Sequence, residues 1–94
     1  MHEAGLCEGV LAVVLDVAGE ERVSRVRVLL GRLQGVLPEH FEFHWQLLAA
    51  GTMAETARLE LVELPGDELI VEEVELASGE IRRNPRLAAS LEKD

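Results

Sequence analysis

The stretch Val-Ser-Arg-Val-Arg-Val-Leu-Leu, residues 23–30, decides the fold. Val26 and Val28 alternate with Arg25 and Arg27, so apolar and charged side chains fall on opposite sides of an extended chain. A period of two with β-branched apolar positions predicts a strand with one buried and one solvated face. The buried face needs a covering layer, which the rest of the chain has to supply.

Two amphipathic helices lie on either side of this strand in the sequence. The first is predicted over residues 3–18 and ends near Gly19, because its apolar residues recur at helical spacing. They are Leu6, Val10, Val13, Val14 and Val17. The second is predicted over residues 38–50, with Pro38 in its first turn. Its apolar stripe is Leu37, Phe41, Trp45 and Leu48, widened by Phe43 and Leu47.

Two further strands are predicted over residues 57–64 and 68–76, where apolar and polar residues alternate again. The turn Pro65-Gly66-Asp67 between them predicts an antiparallel hairpin. One face of the second of these strands is expected to carry Ile70, Val74 and Leu76.

The predicted order is helix, strand, helix, strand, strand. This order predicts an α+β fold with two layers, in which two helices pack on a three-stranded sheet. We assign residues 1–78 to this domain. Residues 79–94 are interpreted as an Arg-rich tail that forms a short helix or stays disordered.

Composition and charge exclude several classes of function. The chain has 18 acidic and 9 basic residues and a net charge of −9, which opposes binding to nucleic acid and favours cations or basic protein partners. No run approaches the about 18–20 apolar residues that a membrane span needs. Cys7 is the single cysteine, as is typical of a reducing compartment. We therefore predict a cytoplasmic protein without membrane insertion.

The first three residues, Met1-His2-Glu3, form a candidate metal-binding terminus. The Met1 α-amine, the His2 amide nitrogen and the His2 imidazole Nδ1 can close two fused chelate rings on one ion. Glu3 adds a further amide and a carboxylate. A tetragonal set of nitrogen ligands suits Ni(II) or Cu(II). This interpretation requires a retained Met1 with an unmodified amine; the alternative is that His2 follows the start codon without any metal role.

A second candidate is the pair His40 and His44, which lie one turn apart on the second helix and could share a metal ion. The simpler interpretation is a polar flank beside the Phe41 and Trp45 stripe. In a third arrangement, His40 or Glu39 completes the terminal site.

Cys7 lies one turn beyond Glu3 and could supply a thiolate, although an unpaired cysteine usually behaves as a small buried apolar residue. The chain shows no Ser/His/Asp grouping, no phosphate-binding glycine loop and no Cys-x-x-Cys pair. We therefore predict a protein that is not an enzyme.

These features together resemble the HypA/HybF family of nickel-insertion proteins in [NiFe]-hydrogenase maturation. The resemblance covers about residues 1–76. Its motifs are MHEA at 1–4, VSRVRVLLGRL at 23–33, GVLPE at 35–39, GT at 51–52, ARLEL at 57–61 and GDELIV at 66–71. It implies Ni(II) binding at Met1, His2 and Glu3, and it implies a hydrogenase large subunit and the GTPase HypB as partners.

The chain departs from the family at one place. The resemblance implies a zinc domain with two Cys-x-x-Cys pairs between the last two strands, where this chain has only residues 65–67. We therefore expect no zinc. Two hypotheses follow: a nickel metallochaperone for hydrogenase maturation without zinc, or a metal-free scaffold of a hydrogenase or its assembly complex that docks through residues 79–94. Homodimer formation by pairing of exposed sheet edges is a further possibility.

Overall fold

The computed structural model describes residues 3–83; Met1, His2, the side chain of Glu3 and residues 84–94 lie outside the described part. Every predicted helix and strand is present, and each boundary lies within one residue of the prediction. The order is α1 (Glu3–Ala18), β1 (Val23–Gly31), a 3₁₀ turn (Arg32–Gln34), α2 (Pro38–Ala49), β2 (Arg58–Leu64), β3 (Leu69–Leu76) and β4 (Ile81–Arg83). No helix within residues 3–83 is long and apolar enough to cross a membrane.

The sheet has four strands in the order β2-β1-β3-β4, so the prediction of three strands is wrong. β1 is central and pairs in parallel with β2 and antiparallel with β3. The predicted hairpin between β2 and β3 is also wrong, because β1 separates them. The crossover through α2 places β2 parallel to β1, and β3 then takes the other edge of β1. β4, within the predicted tail, pairs with residues 73–75 of β3.

The connection from β2 to β3 passes over the end of β1. The Gly31 amide donates to the Glu68 carbonyl at 2.7 Å, and the Leu33 amide donates to the Gly66 carbonyl at 2.9 Å. A Cβ atom at Gly31 would overlap the backbone of Gly66 and Glu68, so this crossing requires glycine. The turn signal at residues 65–67 is real, but the turn carries the chain across two strand spacings, about 10 Å.

Both helices cover the same face of the sheet, and the core lies between the two layers. The alternation predicted for β1 is confirmed, since Val26, Val28 and Leu30 are at most 1% exposed. The stripe predicted for α2 is only partly right, because Leu37 is 55% exposed at the N-cap. The residues that fill the core from the helices include Val10, Val14, Phe41, Trp45 and Ala49.

β3 contains a bulge that changes which side chains face the core. Arg27 is opposite Glu73 and Val28 is opposite Val71, so Glu72 is an extra residue in β3. Val71 is buried and Ile70 is half-buried on the opposite face. The prediction that Ile70 shares a face with Val74 is therefore wrong, because the extra residue reverses the alternation.

The face without helices, which we call the open face, is held by an ion-pair cluster around Arg25. Arg25 donates from Nε to Glu75 at 2.9 Å, from Nη1 to Glu60 at 2.9 Å and from Nη2 to Glu73 at 3.1 Å. The hydrogen bond to Glu75 and then that to Glu73 raise the pKa of Arg25 above its usual range, against the lowering effect of desolvation. One guanidinium therefore links β1, β2 and β3.

Arg82 of β4 closes the carboxyl end of α1. It is opposite Val74 in the sheet and so lies on the helix side, where Nη1 donates to the carbonyls of Val17 at 2.8 Å and Ala18 at 3.4 Å. α1 has no basic residue in its last turn, and a cation there complements the exposed carbonyls and the helix dipole. β4 is therefore attached to both layers of the domain, to β3 in the sheet and to α1 in the helical layer.

Candidate metal centre

The predicted nickel ligands lie at and immediately before the start of α1. α1 begins at Glu3, whereas Met1 and His2 lie outside the described residues. The first amides of a helix have no acceptor within the helix, so the Glu3 amide is not required as a donor within α1. The ligand set Met1, His2 and Glu3 stays a prediction.

α1 and α2 begin at the same end of the domain. α1 leads into the start of β1 and α2 follows the end of β1, so both helices run opposite to this strand. Cys7 and Phe41, near the starts of the two helices, are in contact, with 3.7 Å between Sγ and the Phe41 carbonyl oxygen. Glu39 and His40 therefore lie at the end of the domain from which the residues before α1 emerge.

Cys7 is not suited to be a ligand at neutral pH. Its side chain is fully buried, and its thiol donates to the Phe41 carbonyl. Burial, with a contribution from the charge of Glu8, raises the pKa of Cys7 to about 11. Because metal binding needs the thiolate, Cys7 serves as a small apolar residue between the two helices.

His40 and His44 lie on one flank of α2, where His40 is exposed and His44 is half-buried. The ring of His44 makes an edge-to-face contact with Phe43, with 5.8 Å between ring centroids. Within residues 3–83, no three or more His, Cys, Asp or Glu side chains are grouped closely enough to hold a metal ion. A metal-binding role of His40 and His44 stays a prediction.

A shallow groove of about 230 Å³ lies between α1 and β3. Its lining consists of Gly9, Val10, Val13, Leu69 and Val71. None of these side chains is a metal ligand, so the groove does not belong to a metal site.

Sequence comparisons identify relatives of this chain. The family model described as "Hydrogenase/urease nickel incorporation, metallochaperone, hypA" matches residues 1–69. The chain is 41% identical over 69 residues to hydrogenase maturation factor HypA 2 of Bradyrhizobium diazoefficiens, covering 70% of this chain and 61% of that protein. It is 40% identical over 82 residues to HypA of Paracoccus denitrificans, covering 81% and 73%. The chain thus spans less than two thirds of the first relative.

A structural comparison agrees with the fold. The solution structure of the Ni metallochaperone HypA from Helicobacter pylori superposes with a TM-score of 0.61, covering 89% of this chain and 94% of that chain at 16% identity. The sequence match begins at Met1 and includes α1, β1, α2 and β2. The family consists of metallochaperones rather than enzymes, as predicted. The resemblance noted in the sequence is confirmed: this chain belongs to the HypA family of nickel-incorporation metallochaperones.

Proposed function

We propose that this protein binds Ni(II) as its cargo through Met1, His2 and Glu3 and delivers it during [NiFe]-hydrogenase maturation. The observation that carries the proposal is the match of residues 1–69 to a nickel-incorporation family, which includes these three positions. The Met1 amine, the His2 amide and imidazole nitrogens and the Glu3 region form a set that suits square-planar Ni(II).

The start of α1 favours this chelate in one respect and opposes it in another. The helix dipole places partial positive charge at the amino end of α1, which repels a cation. The same charge stabilises a deprotonated, anionic amide nitrogen, and this form is the one that binds the metal. The ligand amides must therefore come from before the first complete turn, as residues 1–3 allow.

A residue of α2 completes the coordination in an extended form of the proposal. Glu39 and His40 lie at the end of the domain where α1 begins. His44 lies one turn farther along α2, so we rank it below these two residues as an additional ligand.

The decisive experiment is a titration of Ni(II) into protein whose unmodified Met1 has been verified by mass spectrometry. We expect one equivalent of a yellow, diamagnetic complex, lost in His2→Ala and in amino-terminally acetylated protein. His44→Ala serves as the matched imidazole control and should retain the complex. A dissociation constant weaker than about 10⁻⁴ M, or full binding by His2→Ala, would contradict the terminal site.

The proposed partners are a hydrogenase large subunit and a HypB-type GTPase, and the chain is expected to act without zinc. The basis for the zinc expectation is the single cysteine in these 94 residues. Elemental analysis of purified protein tests it, since a stoichiometric zinc content would contradict it.

The short β2–β3 connection also favours a second function, that of a metal-free scaffold in hydrogenase assembly. Residues 65–68 leave no room for a zinc module between these strands. Truncation after Arg83 is the appropriate test, because β4 and its Arg82 cap are part of the fold. The scaffold function predicts that loss of residues 84–94 abolishes capture of a hydrogenase large subunit, whereas His2→Ala leaves capture intact. The chaperone function predicts that His2→Ala abolishes nickel transfer, whereas loss of residues 84–94 does not.

A further inference from the structure

α2 carries an apolar face that nothing in the described chain covers. Phe43 is 60% exposed and Leu47 is 61% exposed, one turn apart. Phe43 lies about 200° around the helix axis from Phe41, so it points away from the core. Large apolar side chains exposed side by side, as Phe43 and Leu47 are, mark interaction surfaces.

The charge around this face indicates what kind of partner it fits. Glu39 lies one turn before Phe43 and Glu42 directly precedes it, and both are exposed; α2 contains His40 and His44 but neither Lys nor Arg. The whole chain has a net charge of −9. A complementary surface therefore presents apolar anchors flanked by basic side chains.

We propose that the outer face of α2, Phe43 and Leu47 with their acidic margin Glu39 and Glu42, docks a basic amphipathic helix of the protein that exchanges nickel with this chain. The nickel exchange rests on the proposed function, whereas the docking surface follows from the exposure and charge of α2. An apolar helix face with charges along one margin matches recognition of a helix through anchors at i and i+4. Because α2 starts at the end of the domain where α1 begins, a partner bound along α2 lies next to the candidate nickel terminus.

A second copy of the chain fits this face less well. Two-fold pairing of the α2 faces places Glu39 and Glu42 of each copy against a helix that contains neither Lys nor Arg. The four carboxylates would be desolvated without a Lys or Arg partner from the other helix, which opposes such a contact.

The probe is an amphipathic peptide of about four helical turns, with leucine on one helix face and lysine on the other. The control is the same peptide with every lysine replaced by glutamate. Binding is measured by titration against ¹⁵N-labelled protein, which also locates the contact. We expect the largest shifts within residues 39–47 and no binding of the acidic peptide. The double variant Phe43→Ser and Leu47→Ser should bind at least about tenfold more weakly.

Two variants serve as matched controls. Leu33→Ser removes an apolar side chain that is 74% exposed outside α2 and should change the affinity by less than about twofold. Glu39→Gln with Glu42→Gln should weaken binding and remove most of its salt dependence. His2→Ala should bind the peptide like the wild type, so that failure of the nickel site and failure of this surface are distinguishable.

Several outcomes would overturn the proposal. Undiminished binding by the double serine variant would show that charge alone attracts the peptide. Shifts centred on the open face would place the contact elsewhere. A wild-type dimer in sedimentation that dissociates in the double serine variant would identify a second copy as the occupant. Tighter peptide binding after truncation at Arg83 would identify residues 84–94 as the occupant.

Discussion

The two faces of the sheet are stabilised by different interactions. The helix-covered face is apolar, with Val26, Val28 and Val74 fully buried beneath α1 and α2. The open face is held by one guanidinium that is hydrogen-bonded to three carboxylates, and by the ion pair Arg27–Glu72, whose Nε and Oε1 lie 2.8 Å apart without hydrogen-bond alignment. Apolar burial is non-directional and depends on area, whereas the open face depends on geometry that a single substitution can remove. The difference teaches that the same truncation of a side chain should change the free energy of unfolding by different amounts on the two faces.

The largest effect is expected from a matched pair on α2. Phe41→Ala should lower the free energy of unfolding by about 3–5 kcal/mol, because Phe41 is fully buried and its loss leaves a cavity. Phe43→Ala, the same change two residues away, should alter it by no more than about 0.5 kcal/mol. Urea denaturation measures both. Similar losses for the two variants would show that the outer face of α2 is covered within the chain.

Arg25→Ala should have the next largest effect, about 2–3 kcal/mol, because it leaves Glu60, Glu73 and Glu75 close together without their shared cation. Arg25→Lys should recover only part of this loss, because an ammonium lacks the planar fork that reaches all three carboxylates. The same denaturation experiment at low and at high salt provides the check. A neutral Arg25→Ala would show that the ion pairs of the open face do not contribute to stability.

Gly31→Ala tests the crossing over the end of β1 that joins β2 to β3. The added methyl group must displace residues 66–68, so we expect a loss of about 1–3 kcal/mol and faster exchange of the Gly31 and Leu33 amides. Gly9→Ala is the control, because nothing lies near a Cβ at Gly9 and alanine favours the helix. Equal stability of the two variants would contradict the tight crossing.

The smallest effect concerns Cys7 under alkaline conditions. Its pKa rises from 9.0 to about 11 in the folded protein, so the folded state holds the proton more tightly than the unfolded state. This contribution is fully present below pH 9 and is lost as the pH rises from about 9 to about 11. Melting temperatures of wild type and Cys7→Ala across this range measure it. A parallel decline of both proteins would exclude a role of the thiol.

The sequence by itself determined the local elements, the family and the candidate nickel terminus. Helical spacing in residues 3–18 and alternation in residues 23–30 are signals that neighbouring residues carry, so boundaries could be predicted closely. Burial of Cys7 was likewise expected from its chemistry. Met1, His2 and Glu3 were singled out from donor chemistry alone, and their role stays a proposal.

Only the tertiary structure decided how these elements pair. A turn at residues 65–67 is equally compatible with a hairpin and with a crossing, and only the placement of β1 between β2 and β3 distinguishes them. The bulge at Glu72, the Arg82 cap on α1 and the exposure of Phe43 likewise depend on partners far away in the chain. The physical reason is that a local pattern specifies only which side chains of a segment are apolar. Strand pairing and burial depend on which distant segment supplies hydrogen-bond partners for its backbone and which one covers its apolar side chains.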